Sequence, residues 1–392
     1  MSTSYPTPVT ETPRPIVLAL GGLVALAAAV GIGRFVYTPI LPLMVEDLGM
    51  SKGTAGLLAS ANFAGYLAGA LLAATLTMAG SRRNWLLLSL IVSSLTTGAM
   101  AFTSSTAGFL TLRFAGGVAS AFVLVLASAL VLDRLSAAGR PDLAAVHFAG
   151  VGVGMALSAV LVSGLAARGG GWRSLWLASG LTSVLAVGIA AGLIADRVEP
   201  AMATTSRPRQ ADPCLAALVV AYGLFGFGYI ITATFLVAIV RGSAQVRALE
   251  PLIWLVVGLT AAPSVALWIW VGAKIGIARG FAFACGIEAV GVAASVLWLT
   301  PAGVLLAAAL LGGTCMGITA LGLIRARHLS SGDPRRTLAV MTAAFGLGQI
   351  VGPAFAGVIS DATGTFLVPS LAAVSALFVG ALLAVSSSTQ TY

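Results

Sequence analysis

Charge is scarce in this chain. Its 392 residues include 21 Lys and Arg and 12 Asp and Glu, so 8% are charged, against about 25% in a soluble domain. With 59% hydrophobic residues and a mean hydropathy of +1.03, a water-soluble core is excluded. Side chains that carry chemistry are equally thin. There are two histidines and three cysteines, with no H-E-x-x-H pair and no Cys/His cluster at metal-ligand spacing. Cys285 and Cys315 lie in apolar segments and Cys214 at the start of one, an odd trio without disulfide spacing. The glycine-rich stretches fall inside apolar segments, and no Walker-type lysine follows them. No enzyme, metal or cofactor is therefore expected, and any work would draw on a gradient and not on ATP.

What the chain has in quantity is apolar length. A helix crossing about 30 Å of hydrocarbon at 1.5 Å per residue needs about 20 apolar residues. Twelve such helices are expected near 16–44, 54–78, 85–103, 109–132, 143–166, 174–195, 215–240, 252–273, 280–299, 302–324, 338–360 and 366–387. The only long polar stretch inside the chain, Asp196 to Cys214, separates the sixth from the seventh. The expected domains are a disordered cytoplasmic tail at 1–15, a six-helix bundle at 16–195, a cytoplasmic linker at 196–214, a second bundle at 215–387 and a tail at 388–392. The first fifteen residues, with Pro6, Pro8, Pro13 and Pro15, lack the basic start and cleavage site of a signal peptide. The first helix is expected to be retained.

Basic residues set the expected orientation. With both ends cytoplasmic, the inner loops and tails hold fourteen of the 21, the outer loops hold Lys52, Arg168, Arg173, Arg241 and Arg247, and Arg34 and Arg113 lie inside helices. That asymmetry predicts a multi-pass protein of the inner (cytoplasmic) membrane with both termini inside. The net charge of +9 and pI near 10.2 call for no nucleic acid, because anionic lipid is the expected partner of inner-loop arginines.

The second half repeats the first. Gly31 and Gly33 return as Gly226 and Gly228, Gly116-Gly117 as Gly312-Gly313, and Gly152 and Gly154 as Gly346 and Gly348, all at offsets of 194 to 196 residues. Three matches in one order at nearly one offset suggest two parallel repeats around a central cavity.

At these residues the chain resembles the major facilitator superfamily over essentially its whole length. Arg113-Phe-Ala-Gly116-Gly117-Val-Ala-Ser120-Ala121 matches the superfamily's helix-4 pattern, and Gly348-Gln349-Ile-Val-Gly352-Pro353 resembles its glycine-proline motif. Gly31-Ile-Gly-Arg34-Phe-Val-Tyr37-Thr-Pro39-Ile-Leu-Pro42, with Phe225-Gly-Phe-Gly-Tyr229, is similar to the YbfB/YjiJ-like branch. The resemblance implies an all-α membrane fold of twelve helices in two six-helix repeats. One feature departs from it. The loops between helices 2 and 3 and between helices 8 and 9 normally carry an aspartate that latches the outward-open state, whereas here Gly80-Ser-Arg82-Arg83 and Lys274-Ile-Gly276-Ile-Ala-Arg279 keep only the basic residues.

Charged groups inside a bilayer are costly and usually face a cavity or a partner. Arg34, near the middle of helix 1 on the face of Tyr37 and Thr38, suits a fixed positive charge for an anion, since a guanidinium forks onto carboxylate or phosphate. Its alternative is satisfaction by helix-end carbonyls or an acid, and no acid lies inside a first-half helix. For Arg113 the resemblance implies coupling or gating, and packing against helix 1 backbone is the alternative. Glu288 in helix 9 suits a proton carrier, although a protonated acid hydrogen-bonded to a neighbouring helix is favoured. His147 in helix 5 suits a proton relay or a histidine bonded to loop carbonyls. Asn62 and Tyr66, Tyr222 and Tyr229, and Phe345 and Gln349 repeat at helical spacing and are expected to line the cavity. Gly65-x-x-x-Gly69 and Gly150-x-x-x-Gly154 are expected to pack helices closely. The whole predicts a monomeric secondary active transporter for a small, anionic organic solute, with protons as candidate coupling ions. A proton-coupled efflux pump and a transporter-like ligand sensor without flux are the alternatives.

Overall fold

The computed structural model describes residues 14–75, 80–194, 213–330 and 334–386. The expected linker up to residue 212, most of the amino-terminal tail, the carboxy-terminal tail and part of the loop between helices 2 and 3 lie outside them. Among the described residues, twelve helices are long and apolar enough to cross a membrane: helix 1 (Pro15–Leu48), 2 (Lys52–Thr75), 3 (Arg82–Phe102), 4 (Thr106–Ala137), 5 (Pro141–Ala166), 6 (Trp172–Leu193), 7 (Pro213–Gly242), 8 (Arg247–Ile275), 9 (Ile277–Leu297), 10 (Pro301–Leu329), 11 (Arg336–Thr363) and 12 (Leu367–Ser386). Burial is inverted relative to a soluble protein. Large apolar side chains such as Phe102, Leu185 and Leu382 face outward, while Arg34, Arg113, His147, Glu288 and Gln349 are buried. The outward apolar surface suits hydrocarbon, and the inward polar groups are withdrawn from it.

The glycine repeat recurs as a packing repeat. A Cβ on Gly117 would stand 2.0 Å from the Asn62 carbonyl of helix 2, and one on Gly312 2.1 Å from the Val257 carbonyl of helix 8. Helices 2 and 4 and helices 8 and 10 thus meet backbone to backbone at equivalent places. Helices 1 and 5 do the same at Gly31 and Gly154, where a Cβ on the first would stand 2.5 Å from the Cα of the second.

The halves meet along helices 2 and 11 and helices 5 and 8. Two of the contacts join equivalent positions of the repeat. The Thr38 hydroxyl donates to the Ala233 carbonyl at 2.8 Å, and Arg241 pairs with Glu46, each across 195 positions. Residues related by the internal two-fold touch only near its axis, so the axis runs between helices 1 and 7. The end of the bundle where helices 1, 7 and 11 finish is called here the first-loop end.

Helix 1 is the irregular member. Its α-helix stops at Leu26, a wide π turn runs over Ala27–Ile32, and regular helix resumes at Tyr37. Pro39 has no N–H for the Phe35 carbonyl, which takes the Thr38 N–H at 3.2 Å instead. That shift leaves the Arg34 carbonyl without its usual helical donor.

Candidate functional site

The break in helix 1 positions the two buried arginines. Arg113 of helix 4 aims both terminal nitrogens at the freed Arg34 carbonyl, at 3.4 and 3.3 Å. Its Nε faces the Leu58 carbonyl at 3.5 Å, and its guanidinium lies 4.7 Å from the Tyr37 ring centre. Helix 1 backbone is thus the partner Arg113 finds. Asn62 donates to the carbonyl of Arg113 itself at 2.8 Å, tying helix 2 to helix 4 at this level.

The Arg34 side chain points the other way, between the halves. Its guanidinium carbon lies 4.5 Å from the Phe63 ring centre and 4.3 Å from that of Tyr66, and one terminal nitrogen donates to Gln349 Oε1 at 2.9 Å. Nε is buried with no hydrogen-bond partner. Neither helix-end carbonyls nor an acid takes the charge: its partners are an amide oxygen and aromatic faces, which stabilise a cation more weakly than a carboxylate does. Gln349 in turn donates its amide to the Tyr229 hydroxyl, so a chain of polar groups runs from helix 1 through helix 11 to helix 7.

An aromatic wall adjoins this chain. Phe345 stacks on Tyr229 with rings 4° apart and on Tyr222 with centres 5.0 Å apart, and Phe225 completes the group. Tyr222 donates its hydroxyl to the Thr319 carbonyl at 3.2 Å. Beside Tyr229 lies a cavity of about 30 Å³, lined from the first half by Phe35, Val151 and Met155 and from the second by residues including Cys315, Met316 and Thr319. Its walls carry no ionised group.

Several expected positions change. Tyr37 does not share the face of Arg34, because the break between them interrupts the helical period; its hydroxyl reaches the Ala55 carbonyl at 2.7 Å and its ring the Trp176 indole. His147 meets no loop carbonyl. Its Nε2 pairs with Ser128 of helix 4 at 3.2 Å, and its Nδ1 abuts Gly22 of helix 1. Glu288 faces the Thr314 hydroxyl of neighbouring helix 10, the side chain expected to satisfy it, but that hydroxyl donates to the Leu310 carbonyl at 2.6 Å and neither carboxyl oxygen receives a well-formed hydrogen bond. Phe63 and Phe225 belong to the site and were not among the expected residues. Phe63 has a signal in sequence, since it stands three residues before Tyr66 and so shares its face.

Twelve membrane-length helices in two six-helix halves, which meet along helices 2 and 11 and helices 5 and 8, form the fold of the major facilitator superfamily. Within that superfamily the chain belongs to the family described as "Uncharacterised MFS-type transporter YbfB", whose profile matches residues 26–385. Solved structures share the fold. A point mutant of the nucleoside transporter NupG has a TM-score of 0.71 at 15% identity, covering 96% of this chain and 100% of its own. A bacterial homologue of the human lysosomal transporter Spinster, inward-facing and unoccupied, has a TM-score of 0.67 at 17% identity, covering 96% and 95%. Among curated proteins no sequence matches the chain.

Proposed function

We propose that the protein is a secondary active transporter that carries a small organic anion across the inner membrane by alternating access, as a monomer with both termini cytoplasmic. The observation that carries this reading is Arg34: a cation buried between the halves, with a free Nε and no carboxylate beside it. An incoming carboxylate or phosphate supplies the acceptor that the site lacks. The two halves rock about the axis marked by Thr38 and Ala233, and the anion is exposed to each side in turn. Arg113 holds the break in helix 1 that aims Arg34. Tyr66, Tyr229, Phe345 and Gln349 surround the anion's body, with Asn62 and Tyr222 behind them. The arginines of the cytoplasmic loops rest against anionic lipid.

Protons are the coupling ion in this reading, and Glu288 is their carrier. Its carboxyl is buried beside the Thr314 hydroxyl, within electrostatic reach of Tyr229 and of the cavity residue Cys315. His147 lies farther along helix 5 and acts by relay. The test is flux in proteoliposomes against a panel of radiolabelled carboxylates and organic phosphates. Counterflow of at least one anion, accumulated under an imposed pH gradient, is the expected result. Glu288→Gln is expected to abolish the gradient-driven accumulation and to leave counterflow intact; accumulation at the wild-type level would remove Glu288 from the mechanism. Ligand binding without any flux would instead identify a sensor. The apolar cavity wall favours efflux of an apolar compound as the second reading, and flux of neutral or cationic drugs with none of anions would establish it.

Orientation has its own check. In a background with Cys214, Cys285 and Cys315 replaced, Thr205→Cys and Gly332→Cys should react with an impermeant maleimide only from the cytoplasm. Gly170→Cys and Ser243→Cys should react from outside, and the reverse pattern would invert the topology.

A further inference from the structure

The first-loop end of the bundle is tied shut by an exchange of helix caps between the halves. Helix 2 begins there and helix 11 ends there, so exposed amides of one face exposed carbonyls of the other. Asp361, in the last turn of helix 11, accepts from the backbone N–H of Lys52 at 2.9 Å and of Gly53 at 2.7 Å. Lys52 returns the exchange. Its Nζ donates to the carbonyls of Ser360 at 3.3 Å and Gly364 at 3.2 Å, and lies 5.1 Å from the Phe366 ring centre. Each side chain thereby caps the helix of the opposite half, with the sign that helix terminus favours.

A second tie stands on the axis. Arg241, at the end of helix 7, forks onto Glu46 at the end of helix 1 at 2.7 and 2.5 Å and also reaches Glu250 at the start of helix 8 at 2.8 Å. Glu46 is half exposed, so solvent weakens this pair, and the network acts through its number of partners. Backbone contact supports the first tie: a Cβ on Gly56 would stand 2.1 Å from the Pro353 carbonyl, and one on Gly357 2.2 Å from that of Lys52.

At the opposite end one basic residue is turned back into its own half. Arg83, one of the basic residues left in the loop without its aspartate, donates to the Ile194 and Ala191 carbonyls, both at 2.6 Å. It caps helix 6 in its own half and does not reach across.

We infer that the reciprocal Asp361 and Lys52 caps, with the Glu46–Arg241–Glu250 cluster, form a latch that keeps the first-loop end closed and makes the inward-open state the resting state. The latch is outside if the termini are cytoplasmic, and to that extent the inference rests on the proposed orientation. Its existence does not depend on transport or on any substrate. A carrier of this design waits for solute on the terminal side, and opening to the first-loop side requires release of Asp361 from the helix 2 amides.

Electron–electron double resonance tests it on purified full-length protein in nanodiscs, without a ligand. Spin labels on Ser104→Cys and Gln245→Cys report the first-loop end, and labels on Ala138→Cys and Lys274→Cys the other. The wild type should show a short distance at the first pair and a long one at the second. Asp361→Asn removes the charge and keeps the side-chain shape; it should raise the share of molecules open at the first-loop end about tenfold, as loss of a charged hydrogen bond predicts. Lys52→Met and Arg241→Gln, on other helices, should shift the same populations in the same direction, with Lys52→Arg close to wild type. Unchanged distances at both pairs in folded Asp361→Asn and Arg241→Gln would overturn the latch. Failure of the transport reading would appear separately, as absence of flux with the distance shifts intact.

Discussion

Replacing Arg34 by alanine is expected to give a folded protein whose affinity for its anionic substrate falls by one to two decades. Removal of this side chain strands no buried countercharge, because its partners are the Gln349 amide oxygen and the rings of Phe63 and Tyr66. Gln349 keeps its bond to Tyr229, and the Arg34 carbonyl keeps Arg113, so the break in helix 1 survives. The lost interaction is a hydrogen bond between an anion and a charged donor, worth about 1.5–3 kcal/mol, or roughly 10- to 100-fold in dissociation constant. Arg34→Lys should recover part of this, since a point charge cannot reproduce the planar fork. Titration of the anion found by flux, followed by tryptophan fluorescence, gives the number. Binding to Arg34→Ala at wild-type affinity would eliminate the anion site and leave the efflux reading.

The second large effect is expected from Gly154→Val. Any Cβ at this position would stand 2.3 Å from the Ala27 carbonyl and 2.8 Å from the Gly31 Cα, distances that no rotamer change relieves because the obstacles are backbone. Helices 1 and 5 must separate, at the place where helix 1 widens into its π turn. Overpacking a well-filled site costs about 1–3 kcal/mol and sometimes more. The detergent-solubilised variant should melt several degrees below wild type, and transport should fall with it. Gly188→Val is the control, since no atom lies within 4 Å of a Cβ there and its melting point should not move. Equal melting of Gly154→Val and wild type would mean that the two helices do not meet as described.

The helices were legible because twelve apolar runs of bilayer length admit no other fold, and their ends fall within a few residues of expectation. Helix 1 was the exception. A continuous helix at 16–44 was expected, and the chain instead breaks around Gly33 and runs on to Leu48; Pro39 and the two glycines carried that information, but hydropathy is blind to it. Arg34 stood out as a charge in an apolar run. Its surroundings did not, because Gln349 lies 315 positions away in the other half and periodicity orders residues only along one helix. The same limit explains the two acid–base candidates. Sequence placed His147 and Glu288 inside helices, but whether a hydroxyl, a carbonyl or nothing faces them depends on the register of helices 4 and 10, which no local pattern encodes.

The contact between Glu46 and Arg241 has a consequence for how such a bundle can be assembled. These residues occupy the same place in the two repeats. Two identical six-helix chains, paired about a true dyad, would set glutamate against glutamate or arginine against arginine at that spot, and like charges in contact repel. The attraction exists only because the halves differ, as two halves written into one polypeptide are free to do. Joining them end to end therefore did more than fix their ratio: it allowed a joint on the symmetry axis to carry opposite signs.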